Sequence, residues 1–126
     1  MKKILAIGVI IGLIISCNSK GDGGDDITKS KTYKKGVALA EENKCATCHF
    51  VDQPLTGPSY KDIANKYAGA SGEKVDELAQ KVITGGTGVW GEIFMTPHPS
   101  LSKEDAVAMV KYILLLKDQT DEKKTP

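Results

Sequence analysis

The chain has 126 residues with a formal net charge of +1, and all of its basic residues are lysines. Nucleic-acid binding requires a basic patch, and a net charge so close to zero does not indicate one, so we expect no nucleic-acid binding. The three cysteines are an odd number, which argues against a framework of disulfides. The chain also shows no internal repeat, and its length suits one small domain.

The N-terminal segment is typical of an export signal. Two lysines precede an apolar run from residue 4 to residue 15, which is too short for an ordinary membrane span. We therefore predict that residues 1–16 are a signal peptide. The run ends in Ile-Ile-Ser-Cys, which resembles a bacterial lipobox, so Cys17 is predicted to be lipidated as the first mature residue. The alternative is a plain secretory signal that leaves Cys17 as a free thiol.

The segment after the signal predicts a tether. Residues 17–30 are rich in glycine, aspartate, serine and lysine and lack an apolar pattern, so we expect a lipidated N-terminus and a flexible linker. Several acyl chains on Cys17 would anchor the protein stably to the periplasmic side of a bacterial membrane. A single domain is predicted over residues 31–117, and the charged residues 118–126 predict a frayed tail.

Apolar side chains recur at helical spacing in four segments of the domain, whereas no segment alternates like a strand. The third segment stops at a glycine pair, and the fourth opens with Ser102 three residues before Asp105, which is close to a capping box. The predicted helices cover residues 32–43, 59–67, 74–84 and 102–117. We therefore predict an all-α fold of about four helices. The long loops between them are expected if they wrap a large, flat group.

The loop after the first predicted helix contains the pentapeptide Cys45-Ala46-Thr47-Cys48-His49, the C-x-x-C-H signature of c-type haem attachment. This spacing lets both thiols add to vinyl groups on one edge of a haem ring while His49 binds the iron. A dithiol, a structural disulfide or half of a zinc site would share the C-x-x-C part. A thioredoxin-like dithiol requires a βαβ pattern, and zinc requires further ligands, for which only the isolated Cys17 and His98 are available. We predict one covalent haem c.

The second axial position of the iron has three candidate ligands. Met95 lies in an irregular segment far enough downstream to pass over the opposite face of the ring. Met109 sits in the middle of a predicted helix, where core packing is the default interpretation. His98 lies between two prolines and is more typical of a surface residue. A second protein ligand favours electron transfer, whereas an open face suits peroxide chemistry or gas binding.

The order of these motifs resembles the small class I bacterial monohaem cytochromes c of the cytochrome c551/c552 type, over residues 31–117. The stretches that carry the resemblance are Cys45-x-x-Cys48-His49, Gly57-Pro58-Ser59-Tyr60-Lys61-Asp62, Tyr67-Ala68-Gly69, Glu77-Leu78-Ala79-Gln80, Gly88-Val89-Trp90-Gly91 and Met95-x-Pro97. The resemblance implies the small cytochrome c fold and a one-electron carrier rather than an enzyme. It implies that Cys45 and Cys48 form thioethers, and that His49 and Met95 are the axial ligands.

The resemblance also implies roles around the haem. The carbonyl of Pro58 would accept the N–H of the proximal imidazole, and Trp90 would donate to a haem propionate. Lys81 would lie near a propionate. Gly36 and Tyr112 match a place where the first and last helices cross closely.

One departure concerns the loop after the methionine. Thr96-Pro97-His98 stands where the family often has Pro-Pro-Asn, so an Asn that could hydrogen-bond near the methionine sulfur is replaced by His98. The expected partners are redox proteins such as a reductase, a terminal oxidase or a peroxidase, reached through a haem edge near Cys45 and Cys48. We expect the protein to be a monomer.

Overall fold

Four α-helices form where the apolar spacing predicts them. In the computed structural model, which describes residues 26–118, they are α1 (Lys31–Glu42), α2 (Tyr60–Lys66), α3 (Gly72–Thr84) and α4 (Lys103–Leu115). The predicted signal peptide, Cys17, the first part of the predicted tether and residues 119–126 lie outside the described residues. Between residues 26 and 118, no helix combines the length and the apolar character that a membrane span requires.

A serine caps the N-terminus of each of the four α-helices. Each hydroxyl accepts a hydrogen bond from the backbone N–H three residues further on, which satisfies one of the donors that a helix leaves unpaired. The capping residues are Ser30, Ser59, Ser71 and Ser102. The cap at Ser71 explains why α3 begins at Gly72 and not at the predicted Lys74: its first turn is polar, so apolar spacing starts only at Val75.

A short β-hairpin follows α3, and the expectation that the domain contains no strand was wrong for this segment. Strand β1 (Gly86–Gly88) pairs antiparallel with β2 (Gly91–Met95), with an irregular register between Gly86 and Gly88. Both glycines of β1 have positive φ, a conformation that other residues rarely adopt. Because glycines replace the alternating side chains that mark a strand, the sequence pattern does not reveal this one.

Helix α4 is the centre of the fold, since it packs against α1, α2 and α3. One core cluster, which joins α4 to α1 and α2, consists of Ala40, Tyr60, Met109 and Tyr112. A second cluster, which joins α4 to α3, consists of Val75, Ala79, Ala106 and Val110. Ala106, Met109, Val110 and Tyr112 thus give α4 two buried faces, and the other helices are arranged around it.

Helices α1 and α4 cross closely at Gly36. A Cβ on Gly36 would lie 2.0 Å from the Cβ of Tyr112 and 3.0 Å from the carbonyl oxygen of Ala108. Real Cβ atoms do not approach so closely, so only glycine fits at this point of the crossing. The predicted close crossing at Gly36 and Tyr112 is confirmed.

We expect Gly36→Ala to destabilise the protein. Overpacking against a Cβ and a helix backbone costs about 3 kcal/mol, which exceeds the gain of about 1 kcal/mol in helix propensity, so the free energy of unfolding should fall by about 2 kcal/mol. Urea unfolding followed by far-UV circular dichroism measures the free energy of unfolding. Gly72→Ala is the control, because nothing lies within 4 Å of its added Cβ. Equal stability of the two variants would contradict the prediction.

Candidate haem site

The two cysteines and the histidine of the motif lie in one tight turn. The chain leaves α1 through Lys44, which has a positive φ of 55°, and residues Cys45–Thr47 form a single 3-10 turn. The backbone N–H groups of Cys48 and His49 both donate to the carbonyl of Cys45, at 3.1 and 3.0 Å. The turn therefore holds the two sulfurs and the imidazole on one short piece of backbone, as attachment to one edge of a haem requires.

The imidazole of His49 is oriented by the loop that follows it. Nδ1 lies 2.7 Å from the carbonyl oxygen of Pro58, at the position that the sequence predicts for this contact. A carbonyl can only accept, so Nδ1 carries the hydrogen and donates it. Nε2 is then left with the lone pair that a metal ion requires, and the hydrogen bond increases the basicity of the ring.

Two further residues contact the same imidazole. A Cβ on Gly57 would lie 2.5 Å from Cε1 of His49, so the loop passes the ring at a distance that only glycine allows. Tyr60, in the first turn of α2, stacks on the ring with a centroid distance of 5.9 Å and an interplanar angle of 17°. The sequence motif contains Tyr60, but its contact with His49 was not predicted, because stacking across a loop leaves no local pattern.

Burial changes the protonation of the groups beside the imidazole. It raises the pKa of the Tyr60 phenol, so this hydroxyl stays neutral at physiological pH. It also raises the pKa of the Cys45 thiol above its ordinary value. A raised pKa lowers the thiolate fraction, and the thiolate is the form that exchanges with disulfides. The environment of Cys45 is therefore unlike that of an activated redox thiol.

The loop that carries His49 is also tied to the end of α4. Nζ of Lys61 contacts Asp52 in this loop at 2.5 Å and Asp118 at 3.8 Å. Asn65 exchanges two hydrogen bonds with Asp118, at 2.7 and 3.0 Å. Exposed ion pairs contribute only about 0–1 kcal/mol each, so this network positions the loop more than it stabilises the fold.

Met95 lies in a segment that is fixed against the end of α3. A Cβ on Gly85 would lie 2.3 Å from the carbonyl oxygen of Met95, so backbone meets backbone closely there. The N–H of His98 donates to the carbonyls of Val82 and Ile83, at 3.2 and 3.1 Å. His98 thus satisfies carbonyls that the end of α3 leaves unpaired, and it holds the chain just after Met95 in place.

The other candidate methionine lies in the core. Met109 is 2% exposed and belongs to the cluster that joins α4 to α1 and α2, together with Tyr60 and Tyr112. Core packing, the default interpretation for Met109, is confirmed by this burial. Met95, in contrast, is half-buried at the end of β2. The structure therefore separates the two methionines into a loop position and a core position.

Two lysines lie against the hairpin. Nζ of Lys66 lies 5.4 Å from the centroid of the Trp90 ring, a cation–π distance. Nζ of Lys81 donates to the carbonyl of Thr87. Trp90 itself is 44% exposed in the turn between the two strands. The predicted neighbours of the haem propionates, Trp90 and Lys81, thus lie on or against the same hairpin, and Lys66 joins them as a cation that the sequence did not single out.

Large apolar side chains are exposed in the two segments that flank His49 and Met95. Three follow the motif and four lie on the hairpin: Phe50, Val51 and Leu55, then Val89, Trp90, Ile93 and Phe94. Such a concentration of exposed apolar area marks a binding surface. This surface could have been predicted from the sequence, because these large apolar residues lie between the predicted helices. Together with the imidazole nitrogen and the paired thiols, these side chains fit an apolar ring that carries iron.

Comparisons with known proteins agree with this geometry. Residues 33–117 match the family model described as cytochrome c. Cytochrome c-551 of Allochromatium vinosum is 40% identical over 78 residues, which cover 62% of this chain and 82% of that protein. Cytochrome c-552 of Nitrosomonas europaea is 44% identical over 79 residues, covering 63% and 76%. The crystal structure of wild-type Nitrosomonas europaea cytochrome c552 gives a TM-score of 0.59 at 43% identity, covering 64% of this chain and 99% of that one.

Fold and site together define an electron carrier with a c-type haem. The chain belongs to the cytochrome c family, as a class I monohaem cytochrome of the c551/c552 type, with its small fold. It carries a single covalently bound haem c, as the C-x-x-C-H motif predicts. This membership decides against the zinc and thiol-exchange alternatives for the motif.

We expect Gly57→Ala to raise the reduction potential of the haem. The added Cβ would push the imidazole of His49 away from the Pro58 carbonyl, and with His49 as the predicted ligand, a less basic imidazole would stabilise ferric iron less. The free energy of unfolding should also fall by about 1–3 kcal/mol through overpacking. A redox titration and urea unfolding of the haem-loaded protein test both effects, with Gly72→Ala as the control. An unchanged potential would show that the imidazole does not depend on this contact.

Proposed function

We propose that this cytochrome c transfers single electrons through a haem attached by Cys45 and Cys48 and ligated by His49 and Met95. The observation that carries the proposal is the 2.7 Å contact from Nδ1 of His49 to the carbonyl of Pro58, inside a C-x-x-C-H turn. This contact leaves Nε2 as the donor for iron. It also fixes the ring, so the ligand keeps its position whether the iron is oxidised or reduced.

Met95 is the best candidate for the second axial ligand. It lies between two anchored elements, since β2 precedes it and the N–H of His98 binds the end of α3 after it. Met109 is supported less, because its side chain fills the core beside Tyr60 and Tyr112. When bound, the haem supplies a one-electron couple between ferric and ferrous iron, and a methionine thioether raises the potential of that couple.

The remaining residues of the site would control water and charge. Apolar side chains of the His49 loop and the hairpin would exclude water from the ring, and a low dielectric disfavours the additional charge of ferric iron. Pro58 would hold the imidazole, and Trp90 would donate its indole N–H to a propionate. Lys81 and Lys66, which each contact the hairpin, would offset the negative charge of the propionates.

Met95→Ala tests the second ligand. We expect the ferric sulfur-to-iron charge-transfer band to disappear, the reduction potential to fall and carbon monoxide to bind the ferrous protein rapidly, because the iron loses its thioether. Met109→Leu and His98→Ala are the matched controls and should keep the band. A band that survives in Met95→Ala and disappears in a control would assign the ligand to that control's residue. Rapid carbon monoxide binding to the unaltered protein would favour an enzyme or a gas sensor instead.

We further propose that the protein is exported and anchored. Residues 1–16 would be the signal peptide, Cys17 the lipidated residue, 17–30 the tether, 31–117 the cytochrome domain and 118–126 a charged tail. The apolar run before Cys17 and its lipobox-like end support this organisation. A monomer held at the periplasmic side of the membrane would exchange electrons there with a reductase, a terminal oxidase or a peroxidase.

Cys17→Ser tests the anchor. We expect the unaltered protein in the membrane fraction, with an intact mass that includes acyl chains, and the variant in the soluble periplasmic fraction with an unchanged haem spectrum. Ser19→Ala, two residues further on, should behave like the unaltered protein. An unaltered protein that is soluble, and whose Cys17 reacts with a maleimide, would show a plain secretory signal with a free thiol.

A further inference from the structure

Three tyrosines form a continuous series from the proximal ligand to the protein surface. Tyr60 stacks on His49 at 5.9 Å, Tyr112 meets Tyr60 edge to face at 6.0 Å, and Tyr33 meets Tyr112 edge to face at 5.1 Å. Cys45 packs against the core cluster that contains Tyr60 and Tyr112. We call Tyr60, Tyr112 and Tyr33 the tyrosine series. Its inner end therefore touches His49, the imidazole that we propose as a ligand of the haem iron.

The two ends of the series differ in their access to water. Tyr60 and Tyr112 are 5% and 3% exposed, whereas Tyr33, in the first turn of α1, is partly exposed. A phenol that gives up an electron also gives up its proton, and in the series only Tyr33 has solvent beside it to take that proton. An oxidation that enters at Tyr60 therefore comes to rest at Tyr33.

Core packing alone does not explain this arrangement. Edge-to-face aromatic pairs contribute about 0.5–1.5 kcal/mol, but phenylalanine would supply the same contacts without a hydroxyl. The chain has four tyrosines, and three of them belong to the series. The fourth, Tyr67, follows α2, and Nζ of Lys66 lies 6.0 Å from its ring centroid. Tyr67 therefore offers a comparison residue of the same type outside the series.

We propose that the tyrosine series delivers electrons from Tyr33 to the haem site after a hydroperoxide has oxidised it, and so protects the haem from destruction. The proposal rests on the proposed ligation by His49. With hydrogen peroxide, the O–O bond breaks and two electrons and two protons convert it into two water molecules. Within one molecule, Tyr33 would supply one electron and the ferrous haem of the reduced carrier the other, and the phenolic proton with one proton from solvent would complete the two water molecules. The tyrosyl radicals of two protein molecules then couple through a new carbon–carbon bond to give dityrosine.

The test treats the reduced, haem-loaded protein with an equimolar amount of hydrogen peroxide. The readouts are freeze-quench electron paramagnetic resonance, the yield of covalent dimer, peptide mapping of dityrosine and the loss of haem absorbance. We expect a tyrosyl radical and a dityrosine that maps to Tyr33. Tyr33→Phe keeps the packing but has no phenolic proton, so it should lower the dimer yield about tenfold and accelerate haem loss. Tyr67→Phe should match the unaltered protein.

Other outcomes separate this inference from the proposed function. An equal dimer yield in Tyr33→Phe, a radical on Tyr67 or Trp90, or equal haem loss in all variants would overturn the role of the series. The covalent haem mass and the ferric charge-transfer band are recorded on the same samples. If both are intact while the Tyr33 radical is absent, only this inference fails. If the haem mass or the band is absent from the unaltered protein, the proposed attachment or ligation fails.

Discussion

The hydrogen bond from His49 to the carbonyl of Pro58 is the constraint on which the site depends. It joins the end of the motif turn to the residue before the Ser59 cap, so a loop with little regular structure acquires a fixed shape. Gly57 closes the same loop by donating its N–H to the carbonyl of Cys48 at 2.9 Å. Helix α2 can then start at a defined point and bring Tyr60 against the imidazole. Local hydrogen bonds, rather than a large core, therefore orient this side chain.

The opposite half of the site depends on the end of α3 instead. The last carbonyls of α3, which have no partner within the helix, accept a hydrogen bond from the N–H of His98. The close approach at Gly85 brings the Met95 backbone against the end of the helix. The two halves are thus built from different elements, and α4 packs on both α2 and α3. Substitutions in the core of α4 should consequently affect both halves, whereas loop substitutions affect one.

Features with a local signal were predictable from the sequence, and features without one were not. The four helices follow from apolar spacing and serine caps, and the C-x-x-C-H motif specifies its cofactor by spacing alone. The hairpin was missed because glycines occupy the positions at which alternating side chains would appear. The contact between Tyr60 and His49 was missed because two residues eleven positions apart meet only after the loop closes. The core position of Met109 was confirmed only once the packing of α4 against its neighbours was known.

The crossing of α1 and α4 also constrains how the chain can fold. The crossing pairs Gly36 with Tyr112, so the two ends of the domain must meet before the first core cluster is complete. Contacts of such high sequence separation carry a loop-closure entropy, which slows the folding of a topology that depends on them. The motif turn lies between these ends, directly after α1. Slow closure of the crossing would give an attachment enzyme time to reach both thiols before the last helix completes the domain.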